Sequence, residues 1–290
     1  MGEAGFESRF VSASDGLKLH VRVYGVPQAG RLPLVCLAGL SRNAADFDVL
    51  ARAISGSRQV IAPDYRGRGL SDWDPDWQRY ALPVELQDVL TMAAALDVGK
   101  AVFLGTSRGG LLTMAMAAVQ PAMLAGAILN DIGPVIDGAG LARIKGYLGT
   151  LAEPATLDAA VALLRNIGGA RFPALSEADW RRQAEGMWTL RDGRLRSTFD
   201  PALAKTLEQV DFDAPLPTLW PQFDALANVP TMVIRGEHSD ILSAETVAAM
   251  ASRRSGLDVL DVPGQGHAPL LADAMSIGRI RAFIDCCDPV

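Results

Sequence analysis

Short apolar runs alternate with helix-periodic stretches along most of this chain. Leu34–Leu37 and Ala101–Leu104 carry no polar position, the pattern of strands covered on both faces. Gln59–Ala62, Ala125–Leu129, Thr231–Ile234 and Leu257–Val262 read as further strands. Between them the period changes. Leu86, Val89, Leu90 and Ala93 recur at helical intervals within Pro83–Leu96, with Pro83 placed for a first turn. Asn43–Ile54, Gly109–Gln120, Ala244–Arg253 and roughly Leu270–Cys286 are the other predicted helices. Ahead of them, Phe10–Ser14, a turn at Asp15-Gly16 and Leu17–Tyr24 predict a β-hairpin. Such alternation calls for an α/β fold, with a mostly parallel, doubly wound sheet and helices on both faces.

The alternation lapses between Pro134 and about Ala225, where the text is helical and charged and holds Trp180, Trp188 and Trp220. The reading is a core domain over 1–133 and 226–290, interrupted by a helical lobe over 134–225. A length of 290 residues suits that plan. The net charge of −6 argues against a general nucleic-acid binder. The most apolar stretch, Leu111–Leu129, is broken by Gln120 and Pro121, which predicts no membrane span and no stable membrane anchoring. Met1–Phe10 carries Glu3, Glu7 and Arg9 and has no apolar core, so no secretory leader is expected. Phe6 stands where a myristoylation signal needs Ser or Thr. Three cysteines, Cys36 and the adjacent pair Cys286 and Cys287, suggest neither a disulfide framework nor a zinc site, which makes a reducing cytoplasm the default.

Candidate chemistry centres on Gly105-Thr106-Ser107-Arg108-Gly109, a G-x-S-x-G sequence with a predicted strand before it and a helix after it. A tight strand-to-helix turn forces the serine into a strained backbone conformation, and the glycines admit neighbouring backbone. Its hydroxyl then sits above the sheet at the positive end of a helix. A serine hydroxyl needs a base. Of the three histidines, His20 falls in the N-terminal hairpin and His238 lies in a predicted acid loop. His267, in the Pro263–Pro269 loop straight after a strand, sits where a catalytic loop belongs. Asp240, in Arg235-Gly-Glu-His-Ser-Asp240, is the preferred orienting carboxylate, with Glu237 and Asp131 as competitors. Asp131 also follows a predicted strand.

Four ordered motifs resemble the α/β-hydrolase superfamily over nearly the whole length. They are the elbow at Ser107, Asp64-Tyr-Arg-Gly-Arg-Gly-Leu-Ser71 as its D-x-R-G-x-G-x-S loop, Gly236-x-x-x-Asp240 and Gly266-His267. The resemblance implies a triad of Ser107, Asp240 and His267, and a cap at 134–225 between the sixth and seventh core strands. It also implies an oxyanion hole from the backbone amides of Leu40 and Arg108. Ala38 stands where the family usually has histidine. The donor is a backbone group, so the hole survives; what anchors its loop is the question this raises.

The expected activity is a serine hydrolase acting on a small or medium carboxylic ester, thioester or lactone through an acyl-enzyme, with no metal and no cofactor. Alternatives on the same triad are a carbon–carbon bond hydrolase, an amidase or a perhydrolase; from another class, a non-catalytic ligand receptor. The Arg108 side chain, and with less support Arg42, are candidates to hold a substrate carboxylate, against the plainer reading of Arg108 paired with Asp131 or Glu237. The expected partner is a small acyl molecule, and a homo-oligomer stays open.

Overall fold

The computed structural model describes residues 5–208, 210–211 and 214–289. Strands β1 (Glu7–Ser12) and β2 (Lys18–Tyr24) form the N-terminal hairpin. Its first strand starts three residues earlier than the apolar pattern suggested, because β1 is an exposed edge with little hydrophobic signal. There follow β3 (Leu34–Leu37), α1 (Asp48–Ile54), β4 (Val60–Pro63), α2 (Leu82–Ala95), β5 (Ala101–Thr106), α3 (Arg108–Val119) and β6 (Leu124–Asn130). The intervening segment carries α4 (Gly138–Leu148), α5 (Leu157–Gly168), α6 (Glu177–Met187), a hairpin of β7 (Trp188–Arg191) and β8 (Arg194–Ser197), and the short helices α7 (Lys205–Glu208) and α8 (Trp220–Asp224). The chain ends with β9 (Thr231–Gly236), α9 (Ala244–Arg253), β10 (Asp258–Val262) and α10 (Ala274–Cys286).

Eight strands form one sheet in the order β1-β2-β4-β3-β5-β6-β9-β10. The β1–β2 and β2–β4 pairs are antiparallel and all others are parallel. Successive residues of a strand point to opposite faces, and here they feed two cores. Leu37, Phe103, Leu129 and Val233 pack on the face that holds α2, α3 and α9. Cys36, Leu104, Ile128 and Ile234 pack on the face covered by α1 and α10. Both faces are buried, which explains the unbroken apolar runs.

The hairpin β7–β8 is the strand part of a segment, 134–225, expected to be mostly helical. Its turn is Asp192-Gly193, both with positive φ (50° and 73°), the local chemistry of a tight hairpin. Only Leu190 and Leu195 pair across it on one face as apolar partners, so the alternation is too brief to stand out among the surrounding charges. The segment leaves and rejoins the core at one neck, where the Leu219 amide donates to the Pro134 carbonyl at 2.7 Å. Further ties run from Gly69 N to Thr198 O (2.6 Å) and from Asn43 Nδ2 to Gly186 O (2.8 Å). Among the described residues, no helix is long and apolar enough to cross a membrane.

Candidate active site

Parallel strands deliver their loops to one edge, so β3, β5, β6, β9 and β10 each contribute a segment there. After β5, Ser107 adopts φ 52°, a region that costs a non-glycine residue of order 1–3 kcal/mol and persists only where the surroundings enforce it. Close backbone approach is what enforces it. A Cβ at Gly109 would sit 2.1 Å from the Leu37 carbonyl oxygen, and one at Gly105 would sit 2.3 Å from the Gly109 carbonyl carbon. The Ser107 amide donates to Asn130 O at 2.9 Å, tying the turn to the end of β6. Gly109→Ala is therefore expected to destabilise the protein by about 2 kcal/mol or more, since backbone rather than a mobile side chain blocks the methyl. Urea unfolding midpoints measure this.

His267 lies in the loop after β10. Its Nε2 is 2.9 Å from Ser107 Oγ and its Nδ1 is 2.8 Å from Asp131 Oδ2. The carboxylate can only accept, so the imidazole proton sits on Nδ1 and Nε2 is left to accept from the serine. Asp131 follows β6 and is fully buried. Its Oδ1 accepts the Gly236 amide (2.8 Å), and its Oδ2 also accepts the Ser239 hydroxyl (2.6 Å).

The structure corrects the preferred acid. Asp240 does not meet His267; it takes both ends of the Arg143 guanidinium at 2.5 and 2.9 Å, with Arg171 at 4.0 Å. Burial alone would raise its pKa, but Arg143 outweighs that and holds it below the usual carboxylate range. Asp131, the competitor, is the residue brought to the imidazole. Ser239, which steadies Asp131, and Asn130, whose Nδ2 donates to Thr106 Oγ1 and Pro269 O at 3.0 Å each, were not singled out from the sequence. His238 is exposed and Glu237 accepts the Gly264 amide at 2.7 Å. Neither reaches Ser107 or His267 in the hydrogen-bond pattern.

A profile of the alpha/beta hydrolase family matches residues 34–275. The chain is a member of the alpha/beta hydrolase family. Over 287 residues, or 94% of this chain and 96% of the relative, it is 34% identical to a 3-hydroxybutyrate-oligomer hydrolase of Cupriavidus necator. An alpha/beta hydrolase of Novosphingobium aromaticivorans superposes with a TM-score of 0.90 at 41% identity, covering 98% of this chain and 99% of the other. The structure of an E-2-(acetamidomethylene)succinate hydrolase superposes at 0.81 with 27% identity, covering 97% and 99%; the enzyme of that activity from Mesorhizobium japonicum is 27% identical over 90% of this chain and 91% of its own. The chain is thus an enzyme, a hydrolase.

In this hydrolase the Arg108 side chain does not line the cavity at Ser107, a second correction to the expected substrate contacts. Its Nε donates to Glu85 Oε2 at 2.6 Å and its Nη2 to the Tyr80 carbonyl at 2.8 Å. Neither Asp131 nor Glu237 is its partner. Arg42 does line the cavity at Ser107, and its Nε donates to Asp46 Oδ2 at 2.8 Å. The cavity measures about 190 Å³. Its floor is Gly39–Arg42, Thr106, Ser107 and His267–Leu271; its roof comes from α4, α5 and α6, with Ile144, Leu164, Trp180 and Met187 among its apolar lining. Asp64 and Arg66 brace the early loop. Asp64 accepts the Ala44 and Leu70 amides, and Arg66 is clasped by Asp88 and Asp74.

A second row of the same residue types stands on the N-terminal hairpin. Ser8 Oγ is 2.6 Å from His20 Nε2, and His20 Nδ1 is 2.7 Å from Asp64 Oδ2. Ser8 lies within the exposed edge strand, paired with Arg22, rather than on a strained turn at a helix N-terminus. It does not line the cavity. Among the described residues, no group of three or more His, Cys, Asp or Glu is placed to hold a metal ion.

Proposed function

We propose that the enzyme hydrolyses short carboxylic esters through an acyl-enzyme on Ser107, with the segment 134–225 acting as a cap over the cleft. The contact sequence Ser107–His267–Asp131 carries this reading. His267 Nε2 takes the serine proton as Oγ attacks the ester carbonyl. Asp131, fixed by Gly236 and Ser239, holds the ring and balances the imidazolium charge. The protonated imidazole then gives the proton to the leaving alcohol, and water repeats the sequence to release the acid. The amides of Leu40 and Arg108 are the proposed oxyanion donors. Arg108 opens α3, where first-turn N–H groups have no partner within the helix, and Leu40 lines the cavity beside Ser107.

Size and charge support a short ester whose leaving alcohol carries an acid. A volume of about 190 Å³ falls below the roughly 300–1,000 Å³ of sites for drug-sized ligands. Two arginines, Arg42 and Arg143, line the cavity with one carboxylate, Asp46, and Arg143 is held by Asp240 from outside that lining. The 34% identical relative is named for ester oligomers of a small hydroxy acid, and a dissolved molecule of that class is the proposed partner. We expect p-nitrophenyl acetate and butyrate to be turned over with kcat/KM at least tenfold above the decanoate. A free-acid ester dimer of a small hydroxy acid is expected to exceed its methyl-capped form by about tenfold, the effect of one charge-assisted contact of roughly 1.5 kcal/mol. Equal or rising rates with chain length would remove the short-ester reading.

A further inference from the structure

We infer that Glu85 is a positioning residue that locks the two proposed oxyanion amides into one unit, joining the Leu40 loop to the Arg108 turn through two arginines. The inference rests on the serine-hydrolase reading above.

Glu85 lies on α2, is fully buried and does not line the cavity at Ser107. Its Oε1 accepts Arg68 Nη1 and its Oε2 accepts Arg108 Nε, each at 2.6 Å. Arg68, also fully buried, donates from Nε to the Leu40 carbonyl at 2.8 Å and from Nη1 to the Arg66 carbonyl at 2.8 Å. Arg108 is the residue whose own amide is the second donor. Through one arginine side chain each way, one carboxylate therefore reaches Leu40 and Arg108, the two residues whose amides must converge on the developing oxygen charge; the carbonyl that Arg68 holds is in the peptide next to the one bearing the Leu40 N–H. Ala38 offers no polar side chain to anchor this loop; Arg68 holds it by the Leu40 carbonyl.

The charge arrangement is ill-suited to a purely structural part. Two guanidinium groups and one carboxylate are taken from water together, and such buried triads are often matched or exceeded in stability by apolar side chains of similar volume. Burial pulls the Arg68 pKa down, and the Arg108 charge pulls the same way; Glu85 opposes both. Burial would raise Glu85, and the two arginines outweigh it and keep its carboxyl below the usual range. Arg68 Nη2 has no partner in the described structure, so Glu85 is the carboxylate that holds this cation. What the triad supplies is fixed geometry. Charge-assisted hydrogen bonds are short and directional, and preorganised donors need no reorganisation as charge develops.

Removing one oxyanion donor typically lowers turnover by about 10²–10³, and loosening both through their shared anchor is expected to cost about 30-fold. Glu85→Gln keeps the shape but presents an NH₂ to one arginine. We expect kcat on p-nitrophenyl butyrate to fall by about that factor with KM changed less than threefold. The affinity of a trifluoromethyl ketone, whose Ser107 adduct carries an oxyanion, is expected to fall in proportion to kcat/KM. Arg108→Gln is expected to give the same loss, and the double variant no further loss, since both act through one unit. A folded Glu85→Gln or Arg108→Gln protein with kcat within threefold of the parent, or with unchanged ketone affinity, overturns the inference. Multiplying losses in the double variant do so as well. If Glu85→Gln fails to fold, Arg108→Gln decides. Ser107→Ala is run alongside; turnover surviving there removes the hydrolase mechanism itself, and is read separately from the Glu85 arm.

Discussion

Asp131→Asn is expected to lower kcat on a short p-nitrophenyl ester by about 10⁴-fold, while Asp240→Asn leaves it within about threefold. The physical reason lies in what surrounds Asp131. Its Oδ1 meets a backbone donor, Gly236 N, at 2.8 Å. An asparagine that kept its oxygen toward His267 would set its NH₂ against that N–H. It must therefore turn its NH₂ toward His267 Nδ1, which forces the ring proton onto Nε2. Nε2–H then faces Ser107 Oγ and cannot take its proton. The Ser239 hydroxyl, which already accepts the Ile241 and Leu242 amides at 3.2 and 3.0 Å, loses its acceptor and adds to the cost. Asp240→Asn breaks a half-exposed pair with Arg143 and leaves the imidazole contacts intact. Steady-state kinetics of the two folded variants decide the matter. A large loss at 240 with little at 131 would reverse the assignment of the acid.

Ser107→Ala is expected to cost about 10⁶-fold in kcat and to abolish covalent labelling by a fluorophosphonate probe, whose phosphorus bonds to Oγ as fluoride leaves. Ser8→Ala is expected to leave both unchanged. The comparison isolates what a hydrogen-bonded row of Ser, His and Asp lacks when it stands alone. Ser8 and His20 are as close as Ser107 and His267. Ser8, however, has ladder-paired strand backbone around it, with no helix N-terminus at its side. Without preorganised donors at the developing charge, the largest electrostatic contribution is missing. Mass spectrometry of the labelled peptide reads the result. A label that survives Ser107→Ala and departs with Ser8→Ala would place the reactive serine on the wrong edge of the sheet.

The strands beneath the site were legible because burial on both faces leaves no room for a polar residue. The elbow was legible because Gly105 and Gly109 answer to contacts within a few residues of Ser107 and to the strand beside it. Arg108 was misread because its partner, Glu85, sits 23 positions away on α2, inside a helix with no motif of its own. Asp240 was preferred because its loop has the right order and spacing. Nothing local shows that Arg143, 97 residues earlier, claims it.

Sequence alone determined the alternation of strand and helix, the strained turn at Ser107 and the histidine loop at 267, because backbone geometry and period are properties of neighbouring residues. Tertiary structure alone decided which carboxylate faces the imidazole, which two arginines Glu85 holds and how large the cavity is. Those outcomes depend on charges and side chains brought together from distant segments, where a shift of a few ångströms selects one ion pair over another.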